Sequence, residues 1–494
     1  MQAQLLNNLS FFYPEVAVFT TLLVCLILDV ILNKKSIIVS LTAAVGLLIS
    51  LYFLIIQSGT SERFFSNLLV VDGMGTFFKY IFVASTLLVI IFFGVSKEIK
   101  NSVHKNEHIV LMLGLTGGAF LMASAVNLLM MYLSLELASL SSYILAGYSK
   151  KDKKSSEASM KYIIYGAASS GIMLFGITLI YGFTGSLDLF KINLFLSQTN
   201  ANNPAIIISI IMILSGIGYK ISSVPFQFWT PDIYEGAPIP VGAFLSVTSS
   251  AAGMAMLIRF LLYTFVKIDI NGVWSVVSSV RWNEIIIVIS IASMLLGNMV
   301  ALWQTSIKRL LAYSSIAHTG YMLLGLTVLN QMGLTAILIY ISAYLFMNLG
   351  AFYVVILISN KLKTDDIQDM AGIGFRAPFI GISMAIFMFS LSGIPSTVGF
   401  VGKFYIFSTL IKADMAWLAL VAMLNSVISL FFYVKVLKVM FFAKSRKSNS
   451  KISYSFSHYF VLAILVFPVL FFGLYFVPLL KLAESSVTLF GLIK

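Results

Sequence analysis

Apolar runs of roughly 20 residues follow one another from near the N-terminus to near the C-terminus of this 494-residue chain. In hydrocarbon every backbone N–H and C=O must be satisfied within the protein, so only helices and closed barrels can span. These runs are too long and too continuously apolar for barrel strands. The periodicity predicts an all-α integral membrane protein with about fourteen transmembrane helices, near 14–32, 37–56, 75–95, 109–125, 127–148, 158–183, 204–223, 240–266, 283–303, 310–330, 334–359, 377–409, 414–440 and 457–480. With 59% hydrophobic and only 10% charged residues, the composition excludes a soluble enzyme.

The longest connections, near 184–203 and 267–282, are too short to fold alone, which predicts a single membrane domain over 1–494. The first run lacks a basic flank and a small-residue cleavage site and reads as a retained helix. The one cysteine, Cys25, lies within it, which excludes an internal disulfide framework and a thiolate metal cage and reads as packing.

Basic residues concentrate after odd-numbered spans: Lys34 and Lys35, Lys97, Lys100 and Lys105, Lys150, Lys151, Lys153 and Lys154, Lys308 and Arg309, Lys361, Lys363 and Arg376, then Lys444, Arg446, Lys447 and Lys451. That is about 18, against about 7 in the opposite loops and C-terminal tail. Short cytoplasmic loops retain Lys and Arg, so both termini are predicted outside a multi-pass protein in the cell inner (cytoplasmic) membrane. The net charge of +13 then follows from topology, with the lipid bilayer as the implied surroundings and no nucleic acid required, although a basic face could also dock a partner.

Two helices read as interrupted. The seventh ends at Pro225, with Pro231, Pro238 and Pro240 following, and the twelfth carries Ser392-Gly-Ile-Pro-Ser-Thr-Val-Gly-Phe-Val-Gly-Lys403. Proline removes a helix donor and glycine relaxes the backbone. The breaks fall five spans apart, each beside a lysine, Lys220 or Lys403, which predicts two repeats, about 109–266 and 283–440, meeting at a mid-membrane ion site.

A charge at bilayer depth costs roughly 2.5–3.5 kcal/mol even on the lenient insertion scale. Glu136, Lys220 and Lys403 therefore read as buried protonatable stations. Glu136 shares a helical stripe with Tyr132, Ser139 and Tyr143, predicted to face protein; an ordinary interhelical hydrogen bond or ion pair is the bland alternative. A Lys220–Glu136 contact at about 4 Å would be worth roughly 4 kcal/mol at an effective dielectric near 20. Moving one proton against 100 mV needs about 2.3 kcal/mol, so switching such a contact suffices for pumping. Lys161 is either a third station or a lysine snorkelling to the interface, with nothing to choose between them. His318, with Ser314, Ser315 and Tyr321 as hydroxyl partners, can pass a proton or can simply be bonded within the core. Asp29, Asp72 and Lys79 fit interfacial positions and carry no assigned chemistry.

Four segments carry a family resemblance: Leu135-Glu-Leu-Ala-Ser-Leu140, the stretch from Lys220 to Pro238, the stretch from Lys308 to Tyr321, and Gly393 to Lys403. Together they resemble the antiporter-like subunits of respiratory complex I, along nearly the whole chain. The resemblance implies two inverted five-helix repeats, broken helices 7 and 12, and a hydrated polar axis. By motif, Glu136 modulates Lys220, Lys161 is its neighbour, Lys220 is the central proton acceptor and Lys403 releases the proton. It further implies partnership with other membrane subunits of the complex, with NADH, FMN, iron-sulfur clusters and quinone held by partner subunits and no cofactor in this chain. Gln227 stands where the family usually has histidine and Ser250 where it usually has lysine, so the central hop needs waters held by Thr248, Ser249 or Ser250, or else His318. A multisubunit sodium/proton antiporter and a scaffold that lost transport are the other classes open at this point.

Overall fold

Each long apolar run becomes a helix because, in lipid, the helix satisfies its own backbone. The computed structural model describes residues 9–32, 37–100, 105–148, 153–198, 204–268, 274–277, 281–444 and 452–487. Lys34, Lys35, Lys150, Lys151, Arg446, Lys447 and Lys451 lie outside the described residues.

The principal helices are α1 (Tyr13–Ile31), α2 (Ile37–Ile56), α3 (Gly73–Val95), α4 (Lys105–Ser124), α5 (Leu128–Ala146), α6 (Lys153–Thr184), α7 (Pro204–Lys220), the short α8 (Thr230–Gly236) and α9 (Ile239–Phe265). The second half holds α10 (Trp282–Ala301), α11 (Ile307–Thr327), α12 (Gln331–Leu362), α13 (Pro378–Ser392), α14 (Val398–Lys412), α15 (Ala416–Phe442), α16 (Phe456–Leu474) and the short α17 (Val477–Ser486). Among the described residues, 11 of these are long and apolar enough to cross a membrane; α7 and α13 are shorter apolar helices. Among the described residues the β-strands form two small antiparallel pairs, Glu62–Phe64 with Leu69–Val71 and Val266–Ile268 with Trp274–Val276.

Burial sorts the helices. α9 and α12 are enclosed along nearly their whole length, whereas α1, α2, α6 and α16 turn most of their surface outward. At 1.5 Å per residue the 32-residue α12 measures about 48 Å, longer than the roughly 30 Å hydrocarbon core, so it crosses tilted or projects beyond it.

The two expected interruptions are present. α7 stops at Lys220; Ser222 takes a left-handed φ of 59°, and the chain runs through Pro225 into α8 before Pro238 opens α9. The second break separates α13 from α14: Gly393, at φ 86°, donates its N–H to the carbonyls of Phe389 and Ser390 and ends α13. An unforeseen third irregularity is a π-helical stretch, Leu245–Ser249, inside α9. Such turns are frequent at functional sites because the extra residue frees a carbonyl from the regular ladder.

Candidate functional site: a buried line of ionisable side chains

Lys220 ends α7 and is 1% exposed. Its ammonium donates to Ser139 Oγ on α5 at 3.1 Å. The expected contact with Glu136 is not made: among the described residues no ion pair within 4.0 Å joins the two. Ser139 lies three residues along the same helical face, so one polar stripe serves both groups, with the hydroxyl as first neighbour. The stripe itself is split. Ser139 and Tyr143 are buried, while Tyr132 and Glu136 are half-buried in this chain.

The backbone around Lys220 is locked. The Trp229 indole donates to the last-turn carbonyl of Tyr219 at 3.0 Å and stacks on Tyr162 at 4.4 Å between ring centroids. Gly253 of α9 lies so close that a Cβ there would come 2.5 Å from Ile221 Cγ2. Beside this break sit buried polar atoms with no hydrogen-bond partner, Gln227 Oε1 and Thr230 Oγ1, and Ser249 Oγ on the π-helical stretch is a third. Thr248 instead bonds Ser85 at 2.7 Å, and Ser250 is half-buried.

Lys403 projects from α14 into the second break and is 3% exposed. Its ammonium donates to the carbonyls of Leu391 and Ser392 at 3.2 and 2.9 Å and to Ser426 Oγ at 2.9 Å. Those carbonyls belong to the last turn of α13, where intrahelical donors run out and the helix dipole is negative, and that of Ser392 also accepts the Ser426 hydroxyl at 2.9 Å. Neutral oxygens and a helix end thus stand where a carboxylate would otherwise balance the charge. Gly393 permits this approach, since a Cβ on it would fall 2.8 Å from Lys403 Cδ.

His318 lies between the two lysines, completely wrapped. Its Nδ1 meets Tyr340 Oη at 2.7 Å and its Nε2 meets Tyr433 Oη at 3.1 Å; Tyr433 continues to Ser314 Oγ at 2.5 Å. The expected hydroxyls are therefore displaced by one step. Ser314 reaches the imidazole only through Tyr433, Ser315 bonds Tyr344, and the Tyr321 ring stands beside the imidazole at 6.1 Å. The next residue, Thr319, donates to the Ile221 carbonyl freed by the first break, at 2.9 Å. On the other side, Lys403 Nζ sits 4.6 Å from the Tyr321 ring centroid. Buried groups thus lie between the two lysines, linked by the Thr319–Ile221 hydrogen bond beside Lys220, by the α11 backbone from Thr319 to His318, and by ring contacts from His318 to Tyr321 and from Tyr321 to Lys403. A neutral imidazole with hydroxyls on both nitrogens can accept a proton at one and release one at the other.

Lys161 stands apart from this line. Its side chain is 40% exposed and pairs with Glu157 at 2.8 Å and with Asp232 of α8 at 2.7 Å. Arg309 binds Asp232 and Glu235 at 2.8 and 2.9 Å, and Lys154 binds Glu235 at 2.8 Å, so α8 is clamped between the N-terminal part of α6 and the first turn of α11. Burial acts to raise the Asp232 and Glu235 carboxyls, but hydrogen bonds from Lys161 and Arg309 to the first, and from Lys154 and Arg309 to the second, outweigh it and hold both below the usual carboxylate range.

Two further ion pairs join residues that the sequence reading did not pair. Arg259 and Asp72, both wholly buried, form a fork with bonds of 2.7 and 2.9 Å, joined by Tyr263 and by the Ala123 carbonyl. Glu15 and Lys79, also buried, meet at 2.5 Å. Lys79 and Asp72 are therefore buried within the protein, and each is paired, which is what lets a charge stay out of water. Arg259 sits in the run Ala251–Phe265 and carried the same signal as Lys220, a charge amid apolar residues. Among the described residues no three His, Cys, Asp or Glu side chains converge to hold a metal.

An all-helical, polytopic membrane subunit of the antiporter-like class is what this fold and its paired breaks define. Residues 125–429 match the family described as NADH:quinone oxidoreductase/Mrp antiporter, transmembrane. The chain is 43% identical to NADH-quinone oxidoreductase subunit N 2 of Chloroherpeton thalassium, across 98% of this chain and 95% of that one. It is 40% identical to NADH-quinone oxidoreductase subunit N of Chlorobium chlorochromatii, across 99% and 97%. Among solved structures, a chain of respiratory complex I from Thermus thermophilus superposes with a TM-score of 0.79 at 27% identity, covering 95% of this chain and 99% of that one. A chain of the Mrp complex from Dietzia sp. DQ12-45-1b shares the fold, with a TM-score of 0.79 at 19% identity over 97% of each. The chain belongs to the NADH-quinone oxidoreductase subunit N family.

Proposed function

We propose that this chain is the proton-translocating membrane subunit of an NADH:quinone oxidoreductase, a translocase component with no redox centre of its own. Lys220 takes up the proton, His318 with its flanking tyrosines passes charge across the middle, and Lys403 gives the proton up. Glu136, half-buried one turn from Ser139, biases Lys220 through space, and Lys161 acts from the ionic clamp on α8. The observation that supports this reading is the row of buried polar groups lying between Lys220 and Lys403, with a helix break beside each lysine. A helix end stabilises a charge without a permanent counter-ion, so each lysine stays free to change state.

The two breaks, five spans apart, support two inverted repeats, about 109–266 and 283–440, within one domain over 1–494. The chain sits in the cell inner membrane with both termini outside, on the strength of its basic loops. Its partners are the other membrane subunits of the complex, while NADH, FMN, iron-sulfur clusters and quinone belong to partner subunits whose redox chemistry drives the charge states here.

The test is Lys220→Ala in the assembled complex, with proton uptake measured against NADH oxidised in sealed vesicles. Coupled uptake should fall sharply while assembly persists; normal pumping contradicts the assignment. Replacing sodium in the same vesicles should leave the flux unchanged, and a sodium requirement would favour a sodium/proton antiporter instead.

A further inference from the structure

Three helix ends meet at a cavity far from the buried line. It is bounded by the end of α3, the end of α12 and the residues that lead into α16, and its volume is about 320 Å³. Lys97, Asn360, Lys361, Tyr454 and His458 supply its polar lining, and no carboxylate is among the lining residues.

The cavity is held in shape by its own contacts. Asn360 donates through Nδ2 to the Val95 carbonyl and accepts the Lys97 backbone N–H through Oδ1, each at 2.9 Å. The Lys97 ammonium donates to the Asn360 carbonyl at 3.0 Å, which anchors it at the rim with two N–H groups left to bind elsewhere. Lys361 Nζ stands 5.5 Å from the centroid of the Tyr454 ring and makes no ion pair or hydrogen bond among the described residues. Tyr454 is tied by its hydroxyl to the Leu357 carbonyl at 3.4 Å, and His458 Nδ1 meets Tyr353 Oη at 3.4 Å. Two ammonium groups thus converge on one concavity without the acid that normally balances them. This differs from the clamp on α8, where every basic side chain has a carboxylate partner.

The surroundings identify the occupant. On α16, the helix whose first turn supplies His458 to the cavity, Phe460, Ile464 and Phe467 recur at helical spacing and are 58%, 42% and 64% exposed, an apolar stripe suited to lipid. Tyr454 lies just ahead of α16, at the end of a candidate span, where aromatic side chains characteristically mark the membrane interface. Basic pockets between helix ends at that level select anionic headgroups, and an apolar stripe running on from the pocket accommodates acyl chains.

We propose that this cavity binds the phosphate of an anionic phospholipid, with Lys97 and Lys361 as the charged contacts and the acyl chains lying along α16. A phosphate monoanion offers acceptor oxygens to both ammonium groups, and the Lys361 charge over Tyr454 gains the ring's negative face as well. The proposal does not depend on the proton path, because none of its residues touches the line from Lys220 to Lys403.

The test uses the assembled complex, stripped of loosely held lipid in mild detergent, with bound molecules counted by native mass spectrometry. Phosphatidylglycerol, phosphatidylcholine and inorganic phosphate are titrated separately. Phosphatidylglycerol should fill one site that Lys97→Gln with Lys361→Gln weakens about twenty-five-fold, the loss expected for two surface lysines. Lys361→Arg, which keeps charge and stacking, should stay within about twofold. Both lysines are exposed, and the intact mass of each variant complex verifies assembly. Equal binding of phosphatidylcholine, undiminished phosphatidylglycerol binding in the double variant, or displacement by millimolar inorganic phosphate would each overturn the proposal, the last by showing a site for a soluble anion.

Discussion

Gly393→Ala tests whether Lys403 works because it is a lysine or because of where it is docked. In the native chain Gly393 holds φ at 86°, and a Cβ would fall 2.8 Å from Lys403 Cδ, closer than real Cβ atoms come to a neighbour. The left-handed backbone alone costs an alanine about 1–2 kcal/mol. The larger effect is on the lysine. To clear the methyl it must retreat from the carbonyls of Leu391 and Ser392, and each charge-assisted hydrogen bond lost is worth about 1.5–3 kcal/mol. Loss of a single one shifts the docked arrangement by about tenfold to a hundredfold at 1.4 kcal/mol per decade. The assay is proton uptake per NADH oxidised in vesicles carrying the assembled complex, with Gly171→Ala as the control. Nothing lies within 4 Å of a Cβ at Gly171 in the exposed wall of α6, so that change should be silent or slightly stabilising by up to about 1 kcal/mol. Gly393→Ala should approach the defect of Lys403→Ala while keeping the ammonium. Normal pumping by Gly393→Ala, in a complex of normal abundance, would show that docking on the end of α13 is irrelevant.

Other outcomes follow from the buried pairs and the clamp. Arg259→Met leaves the buried Asp72 carboxylate without its counter-charge and should destabilise the subunit by about 3–5 kcal/mol, whereas Asp72→Asn combined with Arg259→Met should recover most of that loss, read as the melting temperature of the complex. Lys79→Met strands Glu15 in the same way, and adding Glu15→Gln should restore subunit abundance in membranes. Ser139→Ala removes the hydroxyl that Lys220 contacts; pumping should drop less than with Lys220→Ala, and equal defects would mean that Ser139 orders the whole break. For the clamp on α8, carboxyls held below their unfolded pKa contribute stability that is present above that value and is lost only as pH falls through the lower folded value. Hydrogen exchange of Thr230–Gly236, corrected for intrinsic rate, should therefore stay flat from about pH 5 to 8 and rise on Asp232→Asn, since ordinary carboxylates titrate near 4.

Much of this architecture is legible along the chain because lipid imposes a local rule. A helix that must satisfy its own backbone writes itself as an uninterrupted apolar run, and the helices near 37–56 and 416–442 need nothing beyond their own residues. The breaks are local as well: Pro225 cannot donate, and Gly393 tolerates a left-handed φ. Lys220 and Lys403 announce themselves by a cost that no neighbour in sequence offsets. Arg259 obeyed the same logic, and its mate Asp72 lies 187 residues away, so its role as half of a pair is not written in either segment.

Tertiary structure decided the partners. His318 is bonded by Tyr340 and Tyr433, 22 and 115 residues distant, and not by the serines of its own helix, because hydroxyls on one helix point past the imidazole while those on the packed neighbours face it. Lys220 found Ser139 first and Glu136 only at longer range, a choice set by the rotation of α5 against the end of α7 and invisible in the spacing of the stripe. Lys161 was equally readable as buried or exposed until α8 folded back and brought Asp232 to it. Periodicity and transfer free energy are properties of a segment and its solvent, so the chain by itself determined which segments enter the membrane and which charges are out of place there. Hydrogen bonds and ion pairs between helices depend on rotation and register about axes that packing alone sets, and packing is where the line from Lys220 to Lys403 was made.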